Sequence, residues 1–193
     1  MTISKKTALL GVNDLKIFPI TKDDSTAFTT GNAIDVPGIR QISITFDIDE
    51  KELTGDEKTL AISSKIKGVT FNSEYAELSL DVLSALSGGS VSTSTTDSVE
   101  TASFSFGDGN LPDYFQLQAK IDGTDSIVGG DCHICIYKAK VTAMPINGVQ
   151  GDFATYTFDG KGVYTQYQFS GQSKLIDIDF HSSAKVLTAK TSA

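Results

Sequence analysis

Residues 39–49 read IRQISITFDID. Ile42, Ile44, Phe46 and Ile48 fall on one side of an extended chain, and Gln41, Ser43, Thr45 and Asp47 on the other. Side chains alternate across a strand with period two, so this run predicts a β-strand with one buried face and one wet, uncharged-to-acidic face. Residues 57–71, EKTLAISSKIKGVTF, repeat the idea with Leu60, Ile62 and Ile66 opposite Ser63, Lys65 and Lys67. Between the two runs lies DEKELTGDEK, residues 49–58. It predicts a charged hairpin loop around Gly55, with Asp49, Glu50, Lys51, Glu52, Asp56, Glu57 and Lys58 as its exposed, mixed-charge tip.

Working outward, TFNSEYAELSLDVLSALSGG (70–89) reads as a helix over about residues 73–87. Ser73 is the expected N-cap, with Glu74 and Glu77 in the first turn, where the helix dipole favours negative charge. Tyr75, Leu78, Val82 and Leu86 form a stripe at helical spacing that should pack on the sheet at a subunit boundary, and Gly88 with Gly89 ends the helix. The stretch from Ser87 to Ser98, which contains SVSTSTTDS, has almost nothing to bury and is expected to be an exposed loop. Strand patterns resume in VETASFSF (99–106), YFQLQAKID (114–122) and CHICIYKAKVTAMPI (132–146). FATYTFDGKGVYTQYQF (153–169) reads as a hairpin turning at residues 159–162, and Leu175–Phe180 as a last strand. Arms are expected at about residues 1–8 and 182–193. Eight or nine strands and one helix predict a single mainly-β domain over 1–193, an antiparallel sandwich or barrel with one flanking helix.

The totals narrow the function classes. A chain of 193 residues with net charge −8 and a single arginine, Arg40, lacks the basic face of a dedicated nucleic-acid binder. Two cysteines are too few for a disulfide framework, and no apolar window is long enough to span a membrane, so a soluble protein made in the cytoplasm is expected. Cys132 and Cys135 form a CxxC, but three residues apart on a strand they point to opposite faces, which makes packing cysteines of them. Counted from Asp47, the fifth and sixth positions of a calcium loop hold Lys51 and Glu52, where an oxygen ligand and Gly are needed. Asp177 and Asp179 share a strand face and read as exposed carboxylates. The chain has no G-x-S-x-G elbow, P-loop or dinucleotide fingerprint, and its only histidines are His133 and His181. No catalytic, cofactor or metal site is expected. With no tryptophan, and with Tyr164 and Tyr167 on opposite strand faces, a carbohydrate-binding platform is thinly supported.

The order of these features resembles the major tail tube proteins of long-tailed (siphovirus-type) bacteriophages. The carriers are ALLGVNDLKIFPI (8–20), the paired runs over 38–71, SEYAELSLDVLSALSGG (73–89), YKAKVT (137–142) and GDFATYTFDGKGVYT (151–165). The resemblance implies a structural subunit that assembles with itself into stacked, usually hexameric rings. It implies a virion protein of the tail, assembled in the host cytoplasm. The tape measure protein and then the DNA genome would pass through the lumen without sequence-specific binding. A tail terminator and distal tail proteins would be further partners. On that reading Gln41, Ser43, Thr45 and Asp47 line the lumen, where a wet wall on an acidic protein repels phosphates, and residues 49–58 dock on the next ring. Another β-rich virion component, such as a decoration protein or tail terminator, is the alternative.

Overall fold

The computed structural model describes residues 9–56, 58–123, 130–146, 150–151 and 153–192. Among these residues the architecture is mainly β, with antiparallel sheets and one helix. In chain order the elements are β1 (Leu9–Asp23), β2 (Phe28–Thr30), β3 (Ile34–Asp35), β4 (Ile39–Gly55), β5 (Lys58–Tyr75), α1 (Leu80–Ser87), β6 (Ser90–Thr96) and β7 (Val99–Ser105). Then follow β8 (Phe115–Gly123), β9 (Asp131–Ala143), β10 (Tyr156–Val163), β11 (Gln168–Phe169), β12 (Gln172–Ser173) and β13 (Ile176–Phe180). The main sheet runs β2-β1-β8-β9-β10-β5-β4, with β3 on β1 and β13 on β9. It curls until β4 approaches β1, but no ladder joins them, so the barrel stays open.

Inside the curl sits the main core, built from the alternate residues that the period-two pattern places together: Leu15 and Ile17 of β1, Val69 and Phe71 of β5, Leu117 of β8, Ile136 of β9 and Phe158 of β10. Phe71 meets Phe115 and Phe158 edge-to-face, with ring centroids 6.3 and 6.1 Å apart. Such a core is worth many kcal/mol of apolar burial, and it is what holds the curl.

Four local expectations are corrected. The helix begins at Leu80, not near Ser73. Ser79 is its N-cap, the hydroxyl accepting from Val82 N at 3.3 Å, and Gly88 closes it in the left-handed region with φ 78°. Residues 73–75 instead complete β5, because Tyr75 pairs with Ile39 and Tyr156 and stacks on Tyr156 and Phe158; sheet pairing outweighs the local helical spacing. Of the expected stripe, Val82 and Leu86 are buried helix residues, Tyr75 is a buried strand residue, and Leu78 lies before the helix and is 43% exposed.

The charged stretch from Asp49 is not a loop. Asp49 to Gly55 pair with Lys65 to Lys58 apart from a bulge at Leu60, and Asp56 then enters the left-handed region (φ 49°); Glu57 lies outside the described residues. The Ser/Thr stretch after the helix is likewise a ribbon, β6 on β7, turned by Asp97 and Ser98 in the left-handed region. Threonine favours strands, and the positive-φ pair matches the twist of a two-residue hairpin. Finally, Asp159-Gly160-Lys161-Gly162 is no turn but the middle of β10. A Cβ on Gly160 would sit 2.3 Å from the Phe71 ring, and one on Gly162 2.6 Å from Ile136 and Val69, so these glycines serve close packing.

The second face of β8 and β9 is also covered. Phe28, Cys135 and Tyr137 form a smaller core there with Ile20, Tyr167 and Phe169. Across it lies the C-terminal stretch, expected to be an arm and here folded against its own sheet. Gln116 Nε2 donates to Lys190 O (2.9 Å), Lys190 N donates to Gln116 Oε1 (2.8 Å), and Gln118 Nε2 donates to Thr188 O (2.7 Å). Gln116 and Gln118, which alternate with the core residues Phe115 and Leu117, are therefore buried on this second face. The expected N-terminal arm, residues 1–8, lies outside the described residues.

Candidate assembly surface

The longest paired element is the β4–β5 hairpin, and β4 is the edge of the main sheet. A 17-residue edge presents a row of backbone N–H and C=O groups with no ladder partner on its outer side, a template for pairing with another chain. Three register shifts shape it, the first passing over Arg40 between Ile39 and Gln41. The register shifts between Asp47/Gly68 and Ile48/Ile66, leaving Lys67 as an extra residue, and again at Leu60. Lys67 Nζ turns to Asp49 Oδ2 at 2.8 Å.

The hairpin has two unlike faces. On one, Gln41, Ser43 and Thr45 are exposed and Asp47 half-buried, as their spacing predicts. The ladder carries this wet surface onto β5 and β10: Ser43 sits beside Asn72 and Asn72 beside Asp159, while Thr45 sits beside Thr70 and Thr70 beside Lys161. Thr70 Oγ1 donates to Asp47 Oδ1 (3.0 Å), and Asn72 Nδ2 donates to Asp159 Oδ1. Thr70, Asn72, Asp159 and Lys161 were not picked out from sequence. Their alternation was visible, but reading β10 as a hairpin concealed that they share one face. Lys65 pairs with Asp49, so the face carries both charge signs.

The opposite face is apolar. Ile42, Ile44 and Phe46 look across the curl to Ile121, Ile134, Ile176 and Ile178, lining a groove of about 240 Å³. The stripe then runs past the edge of the core. Phe46 is 42% exposed, Ile48 58%, Ile62 62% and Ile66 40%, with Leu53 and Leu60 also bare near the turn. Glu50, Ser64 and Glu52 share the face with Ile48, Ile66 and Ile62, and Leu53 lies on the other, yet soluble monomers rarely leave so many large apolar side chains grouped in water. Of the residues expected to dock through charge, Glu50, Lys51, Glu52, Asp56 and Lys58 are indeed exposed, and Asp49 is half-buried by its ion pair.

The residues considered for chemistry are engaged elsewhere. Cys132 and Cys135 are buried, free thiols; burial pushes both up, Cys135 strongly. Burial would raise Asp177, but the Tyr137 hydroxyl donating at 2.7 Å, with Lys174 and Lys190, outweighs it and holds the carboxyl below its usual range. Asp179 accepts from Lys190 Nζ at 2.6 Å. Burial would lower Lys190, yet Asp179, Cys135 and Asp177 together hold it above its usual value. Among the described residues, no three His, Cys, Asp or Glu side chains converge as a metal site, and no helix is long and apolar enough to cross a membrane.

Fold and surface together define an antiparallel, mainly-β protein with a free sheet edge and a two-faced projecting hairpin. No protein-family model matches the chain, and no curated protein matches it.

Proposed function

We propose that this chain is a structural subunit of a bacteriophage tail tube, assembling with itself into stacked, hexameric rings whose lumen conducts the genome. One observation carries the reading: the β4–β5 hairpin offers a free backbone edge and a bare apolar stripe on the same element, opposite a continuous polar face. Edge pairing between copies would pool their sheets into one wall. The apolar stripe would be hidden between copies, while Gln41, Ser43, Thr45 and Asp47, extended by Thr70, Asn72, Asp159 and Lys161, would face the water-filled lumen. A polar surface of mixed charge on a protein of net charge −8 lets a polyanion pass without gripping it. The tape measure protein, tail terminator and distal tail proteins are the further partners of such a tube, and no reaction is assigned to the chain.

The test is negative-stain electron microscopy of concentrated, aged protein beside its sedimentation profile. Stacked hollow rings or tubes are expected. A persistent monomer that instead coats preformed capsids would replace this reading with that of a decoration protein.

A further inference from the structure

Two open apolar features lie at opposite ends of the molecule. One is the hairpin tip, where Leu53 and Leu60 are bare. Leu53 and Gly55 share a face by alternation, and a Cβ on Gly55 would sit 2.8 Å from Leu60 Cδ1, so Leu60 lies over Gly55 and beside Leu53. Lys51 falls on that face too, and Lys58 pairs with Gly55, so the two leucines form a knob with a basic rim. The other feature is a groove of about 300 Å³ between α1, β7 and the end of β9, lined by Leu83, Phe104, Phe106, Val141 and Met144. The loop from β7 to β8, which completes the groove through Pro112, carries exposed Asp108 and Asp113 and no basic residue.

We infer that this groove is the socket for the hairpin tip of another copy, with Leu53 and Leu60 entering it and Lys51 and Lys58 meeting Asp108 and Asp113. The physical case has three parts. Size agrees: a dry cavity of about 150 Å³ holds one benzene, so about 300 Å³ takes the ends of two leucines. Charge agrees, because a basic rim meets an acidic one. Reach excludes the chain's own tip. Ala143 of the groove pairs with Asp159, and Asp159 with Asn72 of β5. From Asn72 the strand runs twelve residues to Leu60, roughly 40 Å at about 3.3 Å per residue. A knob and a socket so far apart on one body meet only head to tail between copies, a heterologous contact that repeats along an axis instead of closing on itself. The inference rests on the self-assembly reading and assigns this contact to the stacking of one ring on the next.

The test places one thiol at each end, in the variant Thr59→Cys/Thr142→Cys. Thr59 lies beside the knob and Thr142 lines the groove; both are exposed, whereas the native Cys132 and Cys135 are buried. Protein concentrated for assembly is treated with a short bismaleimide, whose two alkenes each add one thiol S–H, and is run on a denaturing gel. A ladder of joined copies is expected, since each copy offers one tip and one groove, while either single variant stays monomeric. Adding Leu53→Asp/Leu60→Asp should abolish the ladder, and Leu53→Met/Leu60→Met should keep it. Sedimented rings or tubes without a ladder, single variants that join as readily as the double, or a ladder that survives the aspartates overturn the inference and leave the tube reading standing. If nothing sediments, the tube reading fails by itself, and docking is decided on the soluble protein at the same concentration: a ladder upholds it, and its absence rejects it.

Discussion

The apolar stripe of the hairpin should matter for assembly and hardly at all for folding. In a single copy 58% of Ile48 and 62% of Ile62 face water. Complete burial of an isoleucine is worth about 1.5–3 kcal/mol, so hiding the exposed remainder of each against a neighbour contributes about 1–2 kcal/mol. The pair Ile48→Asp/Ile62→Asp removes about 2–4 kcal/mol of contact and places two carboxylates where a dry contact should form. At about tenfold per 1.4 kcal/mol, the concentration needed for assembly rises at least about thirtyfold. Folding should lose only about 1 kcal/mol, chiefly through strand propensity, because neither side chain belongs to the core. The assay pairs sedimentation and electron microscopy across a concentration series with a thermal melt of the soluble protein. A double variant that melts normally and assembles at the wild-type concentration would refute the reasoning.

Three further outcomes test the fold and its electrostatics. Ser73 Oγ is buried with no hydrogen-bond partner, so Ser73→Ala should leave stability unchanged or raise it by up to about 1 kcal/mol, whereas Ser79→Ala, removing the true N-cap, should cost about 1 kcal/mol. Urea denaturation giving the reverse order would restore a helix starting at residue 73. Lys138 Nζ meets Asp23 Oδ2 at 2.6 Å with both side chains nearly buried, and Asp23 Oδ1 also accepts from Gln166 N and Tyr167 N. Asp23→Asn should therefore cost about 3 kcal/mol by stranding the ammonium, and adding Lys138→Met should recover most of it; additive losses in the double-mutant cycle would count against the pair. Burial, with the neighbouring His181, holds His133 below its ordinary value of 6.5, Asp131 opposing them. The unfolded imidazole then binds its proton first, so the contribution of His133 falls as pH drops below 6.5, and His133→Gln should flatten the urea midpoint between pH 7.5 and pH 5. Parallel midpoint curves for both proteins would be the contrary result.

Much of the architecture was legible because period-two alternation survives on both strands of the hairpin, on β8 and on β9. What failed did so for identifiable reasons. Residues 73–78 carry a respectable helical spacing, but Tyr75 gains more from the aromatic cluster with Tyr156 and Phe158 than from a first helical turn. Gly160 and Gly162 look like turn residues in any single sequence. Only the proximity of Phe71, Val69 and Ile136, all distant in sequence or on other strands, shows that the missing side chains are there for packing. Gln116 and Gln118 alternate with Phe115 and Leu117, which places them on a second face of the strand. Its cover, residues 184–192, shares no local pattern with it, since the recognition runs through backbone groups that carry no residue identity.

The bulge at Lys67 keeps hydrocarbon opposite hydrocarbon and charge opposite charge one step beyond the core, before Glu50 and Glu52 enter the apolar face. In the register set by Ser43 with Asn72 and Asp47 with Gly68, Ile48 would fall opposite Lys67 and Asp49 opposite Ile66, mixing charge and hydrocarbon on each face. Inserting Lys67 as an unpaired residue moves Ile48 opposite Ile66 and Asp49 opposite Lys65. A one-residue slip exchanges every side chain between faces, so the bulge is what carries the apolar stripe beyond the core. A monomer gains little from that correction, because Ile48, Ile62 and Ile66 remain largely wet. A sheet completed by other copies gains from it at every repeat. Deleting Lys67 should therefore leave Ile48 opposite Ile66 and Asp49 opposite Lys65 in an unbulged ladder, so assembly should survive the deletion as it survives loss of the charge in Lys67→Gln. Loss of assembly by the deletion alone, read by sedimentation, would show that the bend at the bulge, and not the register beyond it, is what assembly needs.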